Sequence, residues 1–250
     1  MGGIDGSLLT LSDARHMVDH MPDTAAGAPV SNGGPRASLG SRFRSLRDQV
    51  VDDLRERIIE GSLAPGHRLV ERDLSEELEV SRITIREALQ ILAAEGLVTI
   101  NARRGAAVSP FGEPEIRNLL ELRLALETLA ARLAAIRHTP AHAEILTKVV
   151  GQGRVHTKAR DSRAASAANL GFHEAVGLAS ENPLLVSHLE GLRSQLRRLF
   201  RMTPQLQSNH VDDHNRILDA ILDRDADRAE KLSLAHLQQV MDQTMELFRA

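Results

Sequence analysis

Apolar residues first recur at helical spacing from residue 46, where Leu46, Val50, Leu54 and Ile58 form one stripe. Gly61 supplies a stop, and Pro65-Gly66 a turn. A short segment, Arg68-Leu69-Val70, leads into a second predicted helix, Glu71 to Leu78. After the tight connection Val80-Ser81, a third helix is predicted from Arg82 to Glu95, with Ser81 as N-cap and Gly96 as stop. Leu97–Ile100 and Ala106–Ser109 read as two short strands around the turn Asn101–Gly105. Helix, helix, turn, helix and hairpin in this order predict a winged helix-turn-helix over residues 41–110.

Pro110 to Pro114 reads as a linker, and no strand pattern follows it. Leu119, Leu122, Leu126, Leu129, Leu133 and Ile136 alternate at spacings of three and four, which predicts a bundle-facing stripe. Further helices are predicted near 140–160, 162–180, 183–202, 208–223 and 225–249. Pro140, Pro183 and Pro204 lie at or near proposed ends, and Asn182 is placed to cap the helix at Pro183. The expected fold is mainly α: an N-terminal winged helix-turn-helix, then a C-terminal antiparallel all-α bundle of about six helices over residues 114–250. Residues 1–40, rich in Gly, Ala, Ser, Asp and Pro, are expected to form a flexible tail. Met17 and Met21 are candidate alternative starts within it.

Composition narrows the function classes. Aromatics are 2% of the 250 residues: five Phe, no Trp and no Tyr. That argues against a β-sandwich or an aromatic-lined single-strand binder. There is no cysteine, which removes disulfides, thiolate nucleophiles and Cys-ligated metals. No apolar run approaches a membrane span, and the N-terminus lacks a signal pattern, so a cytoplasmic location with no membrane partner is expected. The net charge of −3 gives no global pull toward a polyanion. Residues 45–79 are acidic, whereas residues 80–104 carry Arg82, Arg86, Arg103 and Arg104 against Glu87 and Glu95.

On the third helix Ile85, Ala88, Leu89 and Leu92 share a core face, leaving Ile83, Arg86, Glu87 and Gln90 opposite, with Arg82 and Thr84 in the first turn. This suits a recognition helix entering a major groove by its N-terminus. Arg82 and Arg86 reach guanine edges or phosphates, and Ser81 and Thr84 suit phosphates. Arg103 and Arg104 beside Gly105 suit a wing against the minor groove or backbone. Ordinary solvated arginines are the competing reading.

The runs LRERIIEGSLAPG from Leu54, LVERDL from Leu69, VSRITIREAL from Val80 and EGLV from Glu95 resemble the GntR family of bacterial transcription regulators. The resemblance implies that Arg72, Arg82 and Arg86 contact double-stranded operator DNA, with Ser81 and Thr84 at accessory phosphate positions and Gly105 at the wing, next to Arg104.

In the helical half, His173 stands one turn after Asn169, His214 shares a stripe with Ile217, Leu218 and Ile221, and His236 lies between Leu232 and Val240. Each alone reads as a core histidine; together they could converge on a divalent metal, with Asn169 Oδ1 as a fourth ligand. The segments RLALE from Arg123, NLGFH from Asn169, ENPLL from Glu181, DH at 213–214 and AHL from Ala235 resemble the FCD ligand-binding domain of the FadR branch. That resemblance implies a divalent ion, zinc first with nickel or manganese as alternatives, held by His173, His214 and His236. Asn169 stands where the family pattern has Asp. It also places Arg123 near the pocket as an anchor for a small carboxylate effector, against the competing reading of a salt bridge to Glu127. The expected function is a homodimeric, ligand-responsive regulator, a repressor released from a palindromic operator, and not an enzyme. A metal-dependent hydrolase using the three histidines is the alternative. Against it stand the winged unit and the apparent lack of any Asp or Glu paired with the histidines.

Overall fold

The structure is a computed structural model that describes residues 45–203, 206 and 210–249. The proposed tail at 1–40 and the helix-ending Pro204 lie outside the described residues. The described chain divides into two compact units between Pro110 and Phe111.

In the first unit, α1 (Leu46–Glu60) opens on Ser45, whose side chain accepts the Asp48 N–H, and ends at Gly61 in the left-handed region. Strand β1 (Arg68–Leu69) leads to α2 (Glu71–Glu77) and α3 (Arg82–Ala94), followed by β2 (Val98–Asn101) and β3 (Gly105–Val108). The three strands form an antiparallel sheet in the order β1-β3-β2, with Leu69 opposite Ala106 and Val98 opposite Val108. The hairpin was legible from the sequence. Strand β1 was not, because two residues are too few to show a period. Leu54, Ile58, Ile85, Leu89, Leu92 and Leu97 fill the core. Leu46 departs from its predicted stripe: it is 63% exposed, since the first turn of α1 overhangs that core.

The second unit contains α4 (Glu113–Arg137), α5 (Pro140–Lys158), α6 (Ser162–Ala179), α7 (Pro183–Met202), α8 (Val211–Leu222) and α9 (Ala226–Arg249). Helix α4 packs on α6, α7, α8 and α9 and is the axis of the bundle. Thr139, Asp161 and Asn182 cap α5, α6 and α7 through their side chains. The expected stripe on α4 is only half buried: Leu119, Leu126 and Leu133 pack against the core. Leu122, Leu129 and Ile136 are exposed, whereas Ala130, Ala131, Ala134 and Ala135 are buried with Arg123 and Glu127. Small residues let neighbouring helices approach α4 closely, and the two charged residues are inside because they neutralise one another.

Candidate DNA-reading face and histidine centre

In the winged unit, α3 is amphipathic. Ile85, Ala88, Leu89 and Leu92 are buried, while Arg82, Ile83, Arg86, Glu87 and Gln90 are exposed. Ile83 is 67% exposed and so is placed to meet an apolar partner such as a thymine methyl. Ser81 Oγ accepts the Thr84 N–H at 3.1 Å and shares a 2.8 Å hydrogen bond with Thr84 Oγ1. Two hydroxyls thus share one contact, so one hydroxyl proton is left to donate to a phosphate. Arg86 is held from α2: Nε and Nη2 donate to Glu71 Oε1 and Oε2 at 3.0 and 2.7 Å. The outer Nη1/Nη2 edge of the guanidinium still faces outward, and that edge can read the O6/N7 pair of guanine. The Arg86 contact keeps the Glu71 carboxyl below its ordinary value. Arg72 is exposed and pairs with its neighbour Asp73.

The wing turn is built by Asn101, whose Oδ1 accepts the N–H groups of Arg103 and Arg104 at 3.0 and 3.3 Å. Gly105 follows at φ +77, a backbone conformation that favours glycine. Arg68 Nη2 donates to the Arg104 carbonyl at 2.9 Å, so the wing is tied to the sheet while the Arg104 side chain stays exposed. Glu71 was not singled out from the sequence, because it acts on a residue of another helix.

In the helical unit the three predicted histidines come together. His173 from α6, His214 from α8 and His236 from α9 each place a ring nitrogen within 4.8 Å of the others. Ring centroids are 5.1, 5.5 and 4.9 Å apart. Phe172 stacks on His214 at 4.2 Å. Burial pushes all three imidazoles below their ordinary pKa, that of His236 to about 3. At neutral pH they carry lone pairs, the form that ligates a metal.

The second ring nitrogens are set by carboxylates. Glu127 Oε2 is 2.8 Å from His173 Nδ1, and Glu127 Oε1 accepts from Arg123 Nε at 2.8 Å. Burial opposes the Glu127 charge, but Arg123 and His173 outweigh it and hold the carboxyl at about 2. Asp213 Oδ2 lies 3.4 Å from His236 Nδ1. These contacts overturn the expectation that no carboxylate accompanies the histidines. The partners lie on other helices, where spacing along the chain gives no sign of them.

The Nε2 atoms of His173, His214 and His236 are buried with no hydrogen-bond partner, as is Arg123 Nη1. Three convergent imidazole nitrogens without a proton to share, two of them backed by carboxylates, fit a divalent ion. The Arg123–Glu127 salt bridge is present, yet it uses only one edge of the guanidinium. A cleft of about 500 Å3, open to solvent, is lined by Arg123, Glu127, His173 and Arg193 together with Leu170, Val186 and Leu189. Arg193 pairs with Glu174 at 2.6 Å in the wall of this cleft. A smaller cleft of about 310 Å3 is lined by Asn169, His210 and His214. His210 was not singled out from the sequence.

A winged helix-turn-helix followed by an all-helical unit with a buried histidine centre defines a two-domain regulator that reads DNA with one part and carries a candidate small-ligand site in the other. The comparisons are specific. Residues 46–108 match the gntR family of bacterial regulatory proteins, and residues 118–239 match the FCD domain. The chain belongs to the GntR family and carries an FCD domain. It is 33% identical over 211 residues to the uncharacterized HTH-type transcriptional regulator BphR of Paraburkholderia xenovorans, covering 79% of this chain and 84% of that one. It is 33% identical over 223 residues to the putative L-lactate dehydrogenase operon regulatory protein of Escherichia coli, covering 78% and 84%. The structure of E. coli McbR/YncC shares the fold, with a TM-score of 0.67 at 23% identity over 82% of this chain and 100% of that one. The chain is therefore a DNA-binding transcription regulator, and the hydrolase alternative has no support among these relatives. No helix among the described residues is long and apolar enough to cross a membrane.

Proposed function

We propose that this chain is a cytoplasmic repressor that binds a palindromic operator as a homodimer through residues 41–110 and leaves it when a small carboxylate binds the unit at 114–250. One observation carries the reading: Nε2 of His173, His214 and His236 and Nη1 of Arg123 are all buried and unpartnered, and Arg123 and His173 both line the open cleft. The three imidazoles, with Asn169 as a fourth donor, would hold a divalent ion, zinc first and nickel or manganese as alternatives. Such an ion supplies a Lewis-acid anchor for an oxygen ligand. Glu127 and Asp213 fix the rings of His173 and His236 so that Nε2 points to the shared centre. Arg123 Nη1 donates to the effector carboxylate. Leu170, Val186 and Leu189 cover its carbon skeleton. The E. coli relative is named as a putative regulator of an L-lactate dehydrogenase operon, which supports a small carboxylate.

On the DNA side, Arg82 and Arg86 read base edges, Arg72, Ser81 and Thr84 hold phosphates, and Arg104 follows the backbone beyond Gly105. The exposed apolar face of α4 supports a homodimer, since it needs a cover. The test is a gel shift on operator DNA selected from a random pool, with zinc-loaded protein and a panel of small carboxylates starting with L-lactate. Release by one of them, lost after chelation, is expected. Indifference to the whole panel, or equal binding when the half-sites are scrambled, overturns the reading.

A further inference from the structure

A second group of side chains lies beside the histidine centre and shares one member with it. His210, just before α8, is 3% exposed, and its ring is held only loosely, by Asp213 and the Leu206 backbone. Neither contact has full hydrogen-bond geometry, so the buried imidazole keeps a lone pair to offer a further partner. His210, Asp213 and His236 each bring a potential ligand atom within 4.8 Å of the other two. Asp213 Oδ2 is 3.4 Å from His236 Nδ1 and 3.8 Å from His210 Nδ1. The rings of His210 and His236 meet edge to face with centroids 5.0 Å apart. Arg216, which is exposed, binds the other carboxylate oxygen, Oδ1, so Oδ2 is the atom that faces the two imidazoles.

We propose that the chain offers a divalent cation two adjacent seats with His236 common to both: His173, His214 and His236 in one, and His210, Asp213 and His236 in the other. Two imidazoles and a carboxylate suit the same late first-row ions as three imidazoles. The second seat also brings the negative charge that Asn169 does not supply to the first. A neutral imidazole has a single lone pair. His236 therefore serves one ion at a time, through Nε2 in the first seat or through Nδ1 in the second, and the two seats exclude each other. The capacity is one ion per chain, whichever seat is filled. This inference rests on reading the three histidines as a metal site, and the experiment separates the two.

Cobalt(II) is the probe, because its visible absorption reports the ligand set. Equilibrium dialysis and spectra are taken on the full chain. Wild type is expected to take up one cobalt per chain, and His236→Ala none. His173→Ala is expected to keep one cobalt with weaker affinity and a shifted spectrum, because the second seat survives. His210→Ala is expected to keep one in the three-histidine seat, and the double variant His173→Ala/His210→Ala to lose it. Asp213→Asn in the His173→Ala background should lose it too. If His173→Ala takes up none while His210→Ala still loads, the second seat is wrong and the three-histidine site stands. Retention of cobalt by the double variant also overturns the proposal. If His210→Ala takes up none, the three-histidine seat is wrong and the pair of seats falls with it. A wild type that takes up none overturns both readings. Circular dichroism checks that each variant folds, and His→Gln versions replace any that do not.

Discussion

A guanidinium on a solvated helix samples many rotamers, and each one that misses its base is an entropic loss on binding. Glu71 removes part of that loss for Arg86 by holding its Nε edge from the start of α2. Arg82→Ala and Arg86→Ala are each expected to weaken operator binding by about 1–3 kcal/mol and to relax preference at one base pair. Glu71→Ala should relax the same base pair as Arg86→Ala while leaving non-specific DNA binding intact. Competition gel shifts on single-base operator variants check this; a Glu71→Ala profile that matches wild type removes the positioning role. A second residue-scale expectation concerns the inner ion pair. Arg123 and Glu127 are 2% and 6% exposed, and removing one partner strands the other. Glu127→Ala should therefore lower unfolding free energy by about 3–5 kcal/mol, measured by urea denaturation. A loss under about 1 kcal/mol would show that water reaches the pair.

At the scale of elements, α4 shows what spacing along a chain does and does not carry. Its leucine stripe has the right period, but only Leu119, Leu126 and Leu133 of it reach the core, and the buried face is centred on the alanine side with Arg123 and Glu127. Period alone says that a helix has two faces. Which face is inside depends on what the neighbouring helices bring, here His173 from α6 to meet Glu127. Ala131→Leu is expected to cost about 1–3 kcal/mol through overpacking, readable as a drop in melting temperature; an unchanged melting temperature would mean that the alanine face has slack.

Helix ends were easier to read. Ser81 and Asn182 cap the helices they were expected to cap. Other ends carry no such signal: Arg160, Glu181 and Arg224 take left-handed conformations at helix ends without being glycine. The histidine centre was legible as three inward side chains because each could be judged on its own helix. The carboxylates that orient them, and His210, come from helix-to-helix packing, which one sequence does not display.

For the whole molecule, the face of α4 that carries Leu122, Leu129 and Ile136 is apolar and exposed. A second copy of the chain would bury such a face, and an operator with two half-sites needs two reading helices. Leu129→Glu places a charge in that face and is expected to yield monomers by light scattering, with weaker operator binding and a preserved helical spectrum. Dimers that persist in this variant would move the interface elsewhere.

The chain has no tryptophan or tyrosine, and two of its five phenylalanines lie beside the candidate site. Phe172 stacks on His214, and the Arg123 guanidinium sits over the Phe200 ring, 5.1 Å from its centroid. Fluorine labelling of phenylalanine would give one resonance per ring, with no tryptophan or tyrosine nearby to blur it by ring currents. The Phe172 line would follow the histidines and the Phe200 line the arginine. The arrival of an ion and the arrival of a carboxylate would then be two separate events in a single spectrum.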